Sequence, residues 1–172
     1  MASLFKGIGQ FIKGKYVESA QTVLGLINGW KFFAEHEVVV GIPEEDGSTN
    51  EEGISNAQLL YLHENGVPSH NIPPRPVLEP ALSQEETQDK IRALLKDAAK
   101  QALLHGNKEA AEKGYQKAGM VGRDACKKWI TDGTHLAPNA PSTIQRKGSS
   151  TPLIDTASML NSITYSVRKK KR

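Results

Sequence analysis

The chain has 172 residues and a formal net charge of +3, from 22 Lys and Arg against 19 Asp and Glu. The final five residues, 168–172, are all basic, so the rest carries −2, which disfavours a domain that spreads its basic residues over one nucleic-acid-binding face. A single cysteine excludes an internal disulfide framework and a cysteine-based zinc site. The length fits one domain, and no apolar run approaches the roughly 18 residues that a membrane helix needs. We expect a soluble chain made in a reducing compartment.

The first predicted element is a helical arm within residues 1–35. Its apolar residues recur at the three- and four-residue spacing of a helix face: Val17, Ala20, Leu24 and Ile27. Gly25 and Gly29 lower helix propensity, so we expect this helix to end or bend near Trp30.

A strand is predicted next, because Val38, Val39 and Val40 are β-branched and Pro43 stops the run. Residues 44–53 contain five carboxylates, two glycines and no large apolar side chain. This composition predicts a solvated loop that connects the strand to the following helix.

That helix is predicted over residues 55–65. Ser55 or Asn56 can accept a hydrogen bond from a free first-turn N–H, and Gly66 can adopt the positive φ that ends a helix. The next segment, residues 67–82, contains five prolines. Because proline fixes its own φ and pushes the preceding residue toward extended geometry, we predict a stiff, irregular connection there.

A long helix is predicted from Ser83, with Glu86 completing a capping box. Two apolar stripes of helical spacing follow, separated by a break or kink at Gly106-Asn107. The second stripe ends at Asp132-Gly133. The glycines within it would mark close helix packing: Gly114, Gly119 and Gly122.

The rest of the chain is predicted as a loop over residues 134–152, one or two helical turns over residues 155–161 and a strand over residues 163–167. Asp155 or Thr156 would cap the turns. The strand alternates apolar and polar residues, as a half-buried strand does, and would pair with residues 38–42. The predicted fold class is α+β, with a small antiparallel sheet packed against the long helix in a domain spanning residues 36–167.

Motifs for nucleotide and metal chemistry are incomplete. Residues 9–16 nearly match the phosphate-binding loop, but Tyr16 replaces the hydroxyl residue that would hold magnesium. His63-Glu64 begins the zinc motif H-E-x-x-H, but Val67 stands where the second histidine belongs. We therefore predict no catalytic site, no metal site and no cofactor.

Two reactive side chains receive structural interpretations. Cys126 lies on an apolar stripe, and although Lys127 and Lys128 would lower its pKa, we interpret it as a buried thiol. His63 is expected to be partly exposed and to make one ordinary hydrogen bond.

The basic run is the strongest electrostatic feature of the sequence. It consists of Arg168, Lys169, Lys170, Lys171 and Arg172. Such a tail binds phosphates in a salt-dependent manner, but no aromatic residue is interleaved for base stacking. Contact with DNA or with an acidic protein surface is the functional interpretation, and a solvated end is the alternative.

Three sequence segments together are distinctive. The first is Leu59–Gly66, with the sequence LLYLHENG, and the second is Ile72–Leu82, IPPRPVLEPAL, which leads into the long helix. The third extends from Leu136 to Tyr165 and includes PLIDT and LNSITY. In this order, over about residues 38–167, the chain resembles the tail-completion or neck proteins of tailed bacteriophages, including the Mu-type virion morphogenesis family. It departs from that family at Ala157, where glycine is usual, and at Asn65 and Val77, where aromatics are common.

The resemblance implies a structural protein without catalysis. Members of the family typically form a ring around the DNA channel at the head–tail junction of the virion and join the finished tail to the filled capsid. The implied partners are further copies of the chain, other neck, portal-adaptor and tail-terminator proteins, and DNA in the channel, with no membrane. Assembly would take place in the host cytoplasm.

Two expectations about contacts accompany this resemblance. The assembly contacts are predicted at Ile72, Pro73, Pro74, Arg75 and Pro76, because a stiff segment loses little entropy when an interface orders it. The alternative function is a small nucleic-acid-binding protein that acts through the basic tail.

Overall fold

The computed structural model describes residues 15–44, 49, 53–105 and 107–170. In chain order the helices and strands are α1 (Lys15–Glu35), β1 (His36–Gly41), α2 (Asn56–Asn65), α3 (Leu78–Ser83), α4 (Glu85–His105), α5 (Lys108–Asp132), α6 (Pro141–Lys147), α7 (Ser158–Ser162) and β2 (Thr164–Lys169), with a 3₁₀ turn at Pro68–His70. Helices α1, α4 and α5 pack on one another, and the two strands lie against α5. The predicted α+β class, with a small sheet on a long helix, is confirmed.

The sheet consists of β1 and β2 in antiparallel register. His36 pairs with Lys169, Val38 with Val167, and Gly41 with Thr164. Both predicted strands are therefore present and paired. Strand β2 continues to Lys169, so the first two residues of the basic run belong to the sheet.

Helices α4 and α5 form an antiparallel hairpin whose turn lies at the predicted break. The Asn107 side chain accepts a hydrogen bond from the Ala110 amide at 3.1 Å and so caps α5. A Cβ atom built on Gly114 would lie well inside 3.0 Å of the Ala98 Cβ, so the absence of a side chain permits this close crossing. Gly122 likewise makes room for Val40, whose Cγ2 would be 2.9 Å from an added Cβ. Close helix packing is therefore confirmed at Gly114, whereas Gly119 and Gly122 first admit side chains of the sheet, Tyr165 and Val40.

The predicted start of the long helix at Ser83 is wrong. Ser83 is the last residue of α3, Gln84 is extended with ψ of 133°, and α4 begins at Glu85. The prediction of an irregular connection over residues 67–82 is also wrong in part, because α3 contains Pro80. That proline lies in the first turn of α3, where its missing N–H has no helical partner to lose.

Two further elements differ from the prediction. The segment predicted as a loop over residues 134–152 contains α6, which begins with Pro141 at its first position, a favoured site for proline. The helical turns predicted over residues 155–161 are present as α7. Its N-cap is Ala157, which adopts φ of 61°, rather than Asp155 or Thr156.

The core has two parts at different levels of α5. Near the C-terminal half of α5 lie the buried side chains Leu60, Val77, Ala81, Cys126, Ile130, Met159 and Ile163. Near its N-terminus lie Phe32, Ala102 and Ala111. Because α5 contributes side chains to both parts of the core, it sets the distance between the elements packed near its N-terminus and those packed near its C-terminus.

Helix α1 does not end near Trp30 but continues to Glu35. Its glycines face inward, and a Cβ atom on Gly29 would lie only 3.0 Å from the Ala102 carbonyl oxygen. The helix predicted from the spacing of Leu24 and Ile27 is present, and both of these side chains are exposed. The backbone approaches α4 at Gly29, and Phe32 is buried on the same side of α1. The exposed large apolar residues of α1 are Val23, Leu24, Ile27 and Trp30.

Candidate assembly surfaces

The proline segment presents most of its side chains to solvent. Ile72, Pro73, Pro74 and Pro76 are exposed, whereas Arg75 is only 7% exposed. The backbone is fixed at the N-terminal end of the segment, because Val67 and Ile72 exchange N–H···O hydrogen bonds of 2.9 and 3.1 Å. The residues predicted as assembly contacts therefore form a continuous exposed ridge with one inward-pointing member. We call Ile72, Pro73, Pro74 and Pro76 the proline ridge.

Arg75 anchors this ridge to the distant loop that follows α5. Its Nε donates to the Ala137 carbonyl at 2.7 Å, and its terminal nitrogen donates to the Pro138 carbonyl at 2.9 Å. Burial lowers the pKa of this guanidinium. The side chain serves the fold of its own subunit, so the exposed prolines beside it carry the prediction of an assembly contact.

Glu64 holds the other end of the ridge. One carboxylate oxygen accepts from the Val77 amide at 2.9 Å and from the Leu78 amide at 2.8 Å. These bonds satisfy N–H groups at the start of α3 that have no helical partner. In the sequence Glu64 belongs to an incomplete zinc motif and to the Leu59–Gly66 segment, and no local spacing relates it to a helix that begins 14 residues later.

His63 differs from its prediction. Its Nδ1 is buried and has no hydrogen-bond partner among the described residues, so the expected ordinary hydrogen bond is missing. Burial, with smaller contributions from Arg75 and Lys147, lowers its pKa to about 4. The ring is therefore neutral at physiological pH. Its backbone carbonyl accepts from the Arg75 amide at 2.6 Å, which places it directly behind the proline ridge.

Cys126 is buried in the larger part of the core, as predicted. Its neighbouring lysines do not lower its pKa as the sequence suggested. Burial, assisted by the charge of Glu64, instead raises the pKa of the thiol to about 12. A protonated, buried thiol is a weak nucleophile, so the chemistry of this residue is that of a packing group.

The basic run lies at the other end of the molecule, beside α1. Arg168 Nε forms an ion pair with a Glu37 carboxylate oxygen at 2.9 Å, and the Lys170 amide donates to the Glu35 carbonyl at 2.8 Å. Lys169 is exposed. Residues 171 and 172, also predicted as electrostatic contacts, lie outside the described residues.

An exposed apolar surface on α1 was missed by the sequence analysis. Trp30 is 67% exposed, and Val23, Leu24 and Ile27 are each more than half exposed. The signal that could have identified it is the pair of glycines, Gly25 and Gly29, since a glycine face permits the closest approach of another helix. Because these two glycines face inward, Ile27 and Trp30 on the opposite side of the helix face solvent.

The described residues contain no group of three or more His, Cys, Asp or Glu side chains placed to hold a metal ion. Within the same part of the chain, no helix is both long and apolar enough to cross a membrane. No family model, curated protein or solved structure matches this chain.

Proposed function

We propose that the protein is a structural virion protein of the phage head–tail junction, in which copies form a ring that joins or completes the tail on the DNA-filled capsid. One observation carries the proposal: the chain exposes two unlike surfaces, the proline ridge and the outer face of α1, near opposite ends of α5. A ring built from heterologous contacts requires two different patches on each subunit. The resemblance to neck proteins supplies the biological setting.

The rigidity of the proline ridge supports a contact role. Arg75, Glu64 and the Trp129 indole, which donates to the Pro76 carbonyl at 3.1 Å, all hold its backbone from within the subunit. A surface that is already ordered loses little conformational entropy when a neighbour binds. The ridge therefore has the properties of a docking element more than those of a mobile loop.

The chemistry of the reactive side chains supports a structural role over a catalytic one. The His63 ring is neutral with its Nδ1 buried, and the Cys126 thiol is protonated within the core. Among the described residues, the His63 Nδ1 has no hydrogen-bond partner that would activate it, and the Cys126 thiol is enclosed in the core.

The alternative, binding of nucleic acid through the basic tail, has less support. Arg168 is already paired with Glu37, and the Lys170 ammonium lies 3.4 Å from the Phe33 carbonyl. Strong, salt-dependent binding of free duplex DNA by a monomeric chain would favour this alternative.

The test is the mass and shape of the full chain. Native mass spectrometry and negative-stain microscopy should show a closed ring with a discrete number of subunits, and a monomer at every concentration would contradict the proposal. The double variant Pro74→Gly with Pro76→Gly should weaken the ring and leave particles with detached tails. Pro141→Gly is the matched control, since Pro141 is an exposed proline outside the ridge, at the first position of α6, and its replacement should leave assembly unchanged.

A further inference from the structure

The outer face of α1 carries an apolar stripe with no partner among the described residues. Val23, Ile27, Trp30 and Ala34 recur at spacings of four, three and four, so they lie on one side of the helix. Gly25, Gly29 and Phe32 are buried on the opposite side, where α1 packs on its own subunit. The stripe is therefore additional to the face that holds α1 in the fold.

Lysines border this stripe. A groove runs beside α1, and its walls include Ile27, Trp30, Leu103, Lys31, Lys169 and Lys170. Glu35 also lines the groove and pairs with Lys31 at 3.8 Å, so Lys169 and Lys170 supply its excess positive charge. We call it the basic groove. The Lys170 amide is bonded to the Glu35 carbonyl, which fixes the end of β2 against α1. An apolar floor with cationic edges suits a surface that carries carboxylates.

Such a surface lies near the other end of α4. Glu44, Glu79 and Glu85 are exposed on the segment after β1, on α3 and at the start of α4. These segments converge, because Val40 and Leu82 both lie beside Gly122 of α5. We call the three glutamates the acidic face.

The two surfaces of one subunit are too far apart to meet. Helix α4 begins at Glu85 and reaches the basic groove at Leu103, and 18 residues of α-helix span about 27 Å. The sheet separates the two surfaces in the same way, because its Gly41 end leads to Glu44 and its opposite end carries Lys169. An acidic face that occupies the groove must therefore belong to another molecule.

We propose that the basic groove of one copy receives the acidic face of a second copy, head to tail. This inference rests on the proposed ring and specifies its subunit contact. The groove lies on the α1 side, and the acidic face adjoins the proline ridge, since Glu79 follows Pro76 by three residues. Each copy contributes its groove to one neighbour and its acidic face to the other, so the contact is heterologous. Repeating it gives a closed ring if the rotation between neighbouring copies permits closure. Trp30 provides the desolvated aromatic anchor typical of interface centres. The charge pairs set the orientation and raise the association rate.

The test exchanges charges in the full chain. In the double variant Lys169→Glu with Lys170→Glu, the groove and the acidic face are both acidic. In the double variant Glu79→Lys with Glu85→Lys, both surfaces are basic. Each double variant alone should remain monomeric, whereas an equimolar mixture should assemble into rings with an even number of subunits. Lys113→Glu with Lys117→Glu reverses two exposed lysines elsewhere on α5 and should assemble like the unmodified chain.

A second variant tests the apolar floor. Trp30→Ser should weaken assembly at least about tenfold, and Tyr61→Ser, at a similarly exposed position on α2, should not. Near-ultraviolet circular dichroism of each variant establishes that the fold is retained.

The outcomes separate this inference from the proposed function. If the unmodified chain forms rings and the Lys169→Glu, Lys170→Glu variant forms them equally well, the groove contact is overturned while the ring stands. If those substitutions abolish only duplex DNA binding, the occupant is nucleic acid and the inference fails. If the unmodified chain never assembles, the proposed function fails first.

Discussion

Replacing Gly114 with alanine tests the close crossing of α4 on α5. A Cβ atom at this position would overlap the Cβ of Ala98, and its next neighbours are backbone atoms, the Ala98 Cα at 3.6 Å and the Leu94 carbonyl oxygen at 3.7 Å. No flexible side-chain end is present to move aside. The two helices must therefore separate to admit the methyl group.

Two opposing effects set the magnitude. In an ordinary helix interior the change from glycine to alanine stabilises by about 1 kcal/mol. Here two methyl groups need about 3.5–4.0 Å, so the helices must separate by roughly 1 Å or more, which also loosens the packing of nearby Ala102 and Ala111. Overpacking of this kind costs about 1–3 kcal/mol. Because whole helices must move, we expect the overpacking cost to lie near about 3 kcal/mol. Subtracting the gain of about 1 kcal/mol in helix propensity leaves a net loss of about 2 kcal/mol in the free energy of unfolding.

The assay is urea and thermal unfolding followed by far-ultraviolet circular dichroism. A loss of about 2 kcal/mol should lower the melting temperature by roughly 6 °C for a domain of this size. The matched control is the double variant Ala98→Gly with Gly114→Ala, which moves the methyl group across the crossing and should recover much of the loss. An unchanged or raised melting temperature for Gly114→Ala would refute the close crossing.

Three further predictions concern single positions. Ala157→Gly should raise the free energy of unfolding by about 0.5–1 kcal/mol, because Ala157 holds φ of 61°, which costs an L-residue more than glycine. The free energy of unfolding should fall by roughly 2 kcal/mol, after allowance for solvent screening, as pH drops from about 6.5 to about 4. The reason is that His63 takes up its proton at a higher pH in the unfolded chain than in the folded one. His63→Phe should flatten this decline when unfolding is measured in buffers from pH 7 to 4. Arg75→Met should cost about 2–3 kcal/mol in urea unfolding, because the Ala137 and Pro138 carbonyls lose their donors.

Each has a control and a contrary result. Ala157→Val should destabilise, and equal stability of the glycine and valine variants would remove the strain argument. A pH profile that is identical with and without His63 would assign the acid sensitivity to other groups. Arg92→Met changes an exposed arginine paired only with Asp89, so a loss as large as that of Arg75→Met would show that the buried hydrogen bonds carry no special weight.

The features that could be predicted from sequence are those whose partners lie within one helical turn. The Ser55 hydroxyl oxygen accepts from the Gln58 amide at 3.2 Å, and the Gln58 side-chain oxygen accepts from the Ser55 amide at 3.1 Å. Asn107 caps α5 three residues on, and Gly133 ends the same helix by adopting φ of 65°. Such signals depend on side chain and backbone a few positions apart, so composition and spacing suffice to identify them.

The features that escaped prediction depend on distant contacts. Glu64 stabilises the start of α3, and Arg75 reaches a carbonyl 62 residues away. Neither partner is implied by the local sequence. The start predicted at Ser83 failed for the same reason, because a capping box was inferred where a separate helix, held by Glu64, occupies that turn.

The orientation of α1 also depends on tertiary contact. The spacing of Leu24 and Ile27 indicates an apolar face, but the residues that pack are decided by how closely α4 can approach. Gly29 lets the Ala102 backbone come near, so the side of α1 that carries the glycines packs against α4. The candidate assembly surface on α1 follows from this choice and from no motif.

The antiparallel pairing of β1 with β2 has a consequence for synthesis. Gly41 pairs with Thr164, so more than 120 residues must be translated after β1 before its partner exists. At about 5–20 residues per second, the Val38–Val40 run waits roughly 6–25 s with unpaired backbone N–H and C=O groups. During that interval the nascent chain presents a β-branched edge to its neighbours on the polysome, and a frameshift or stop codon near Ile163 would make that exposure permanent.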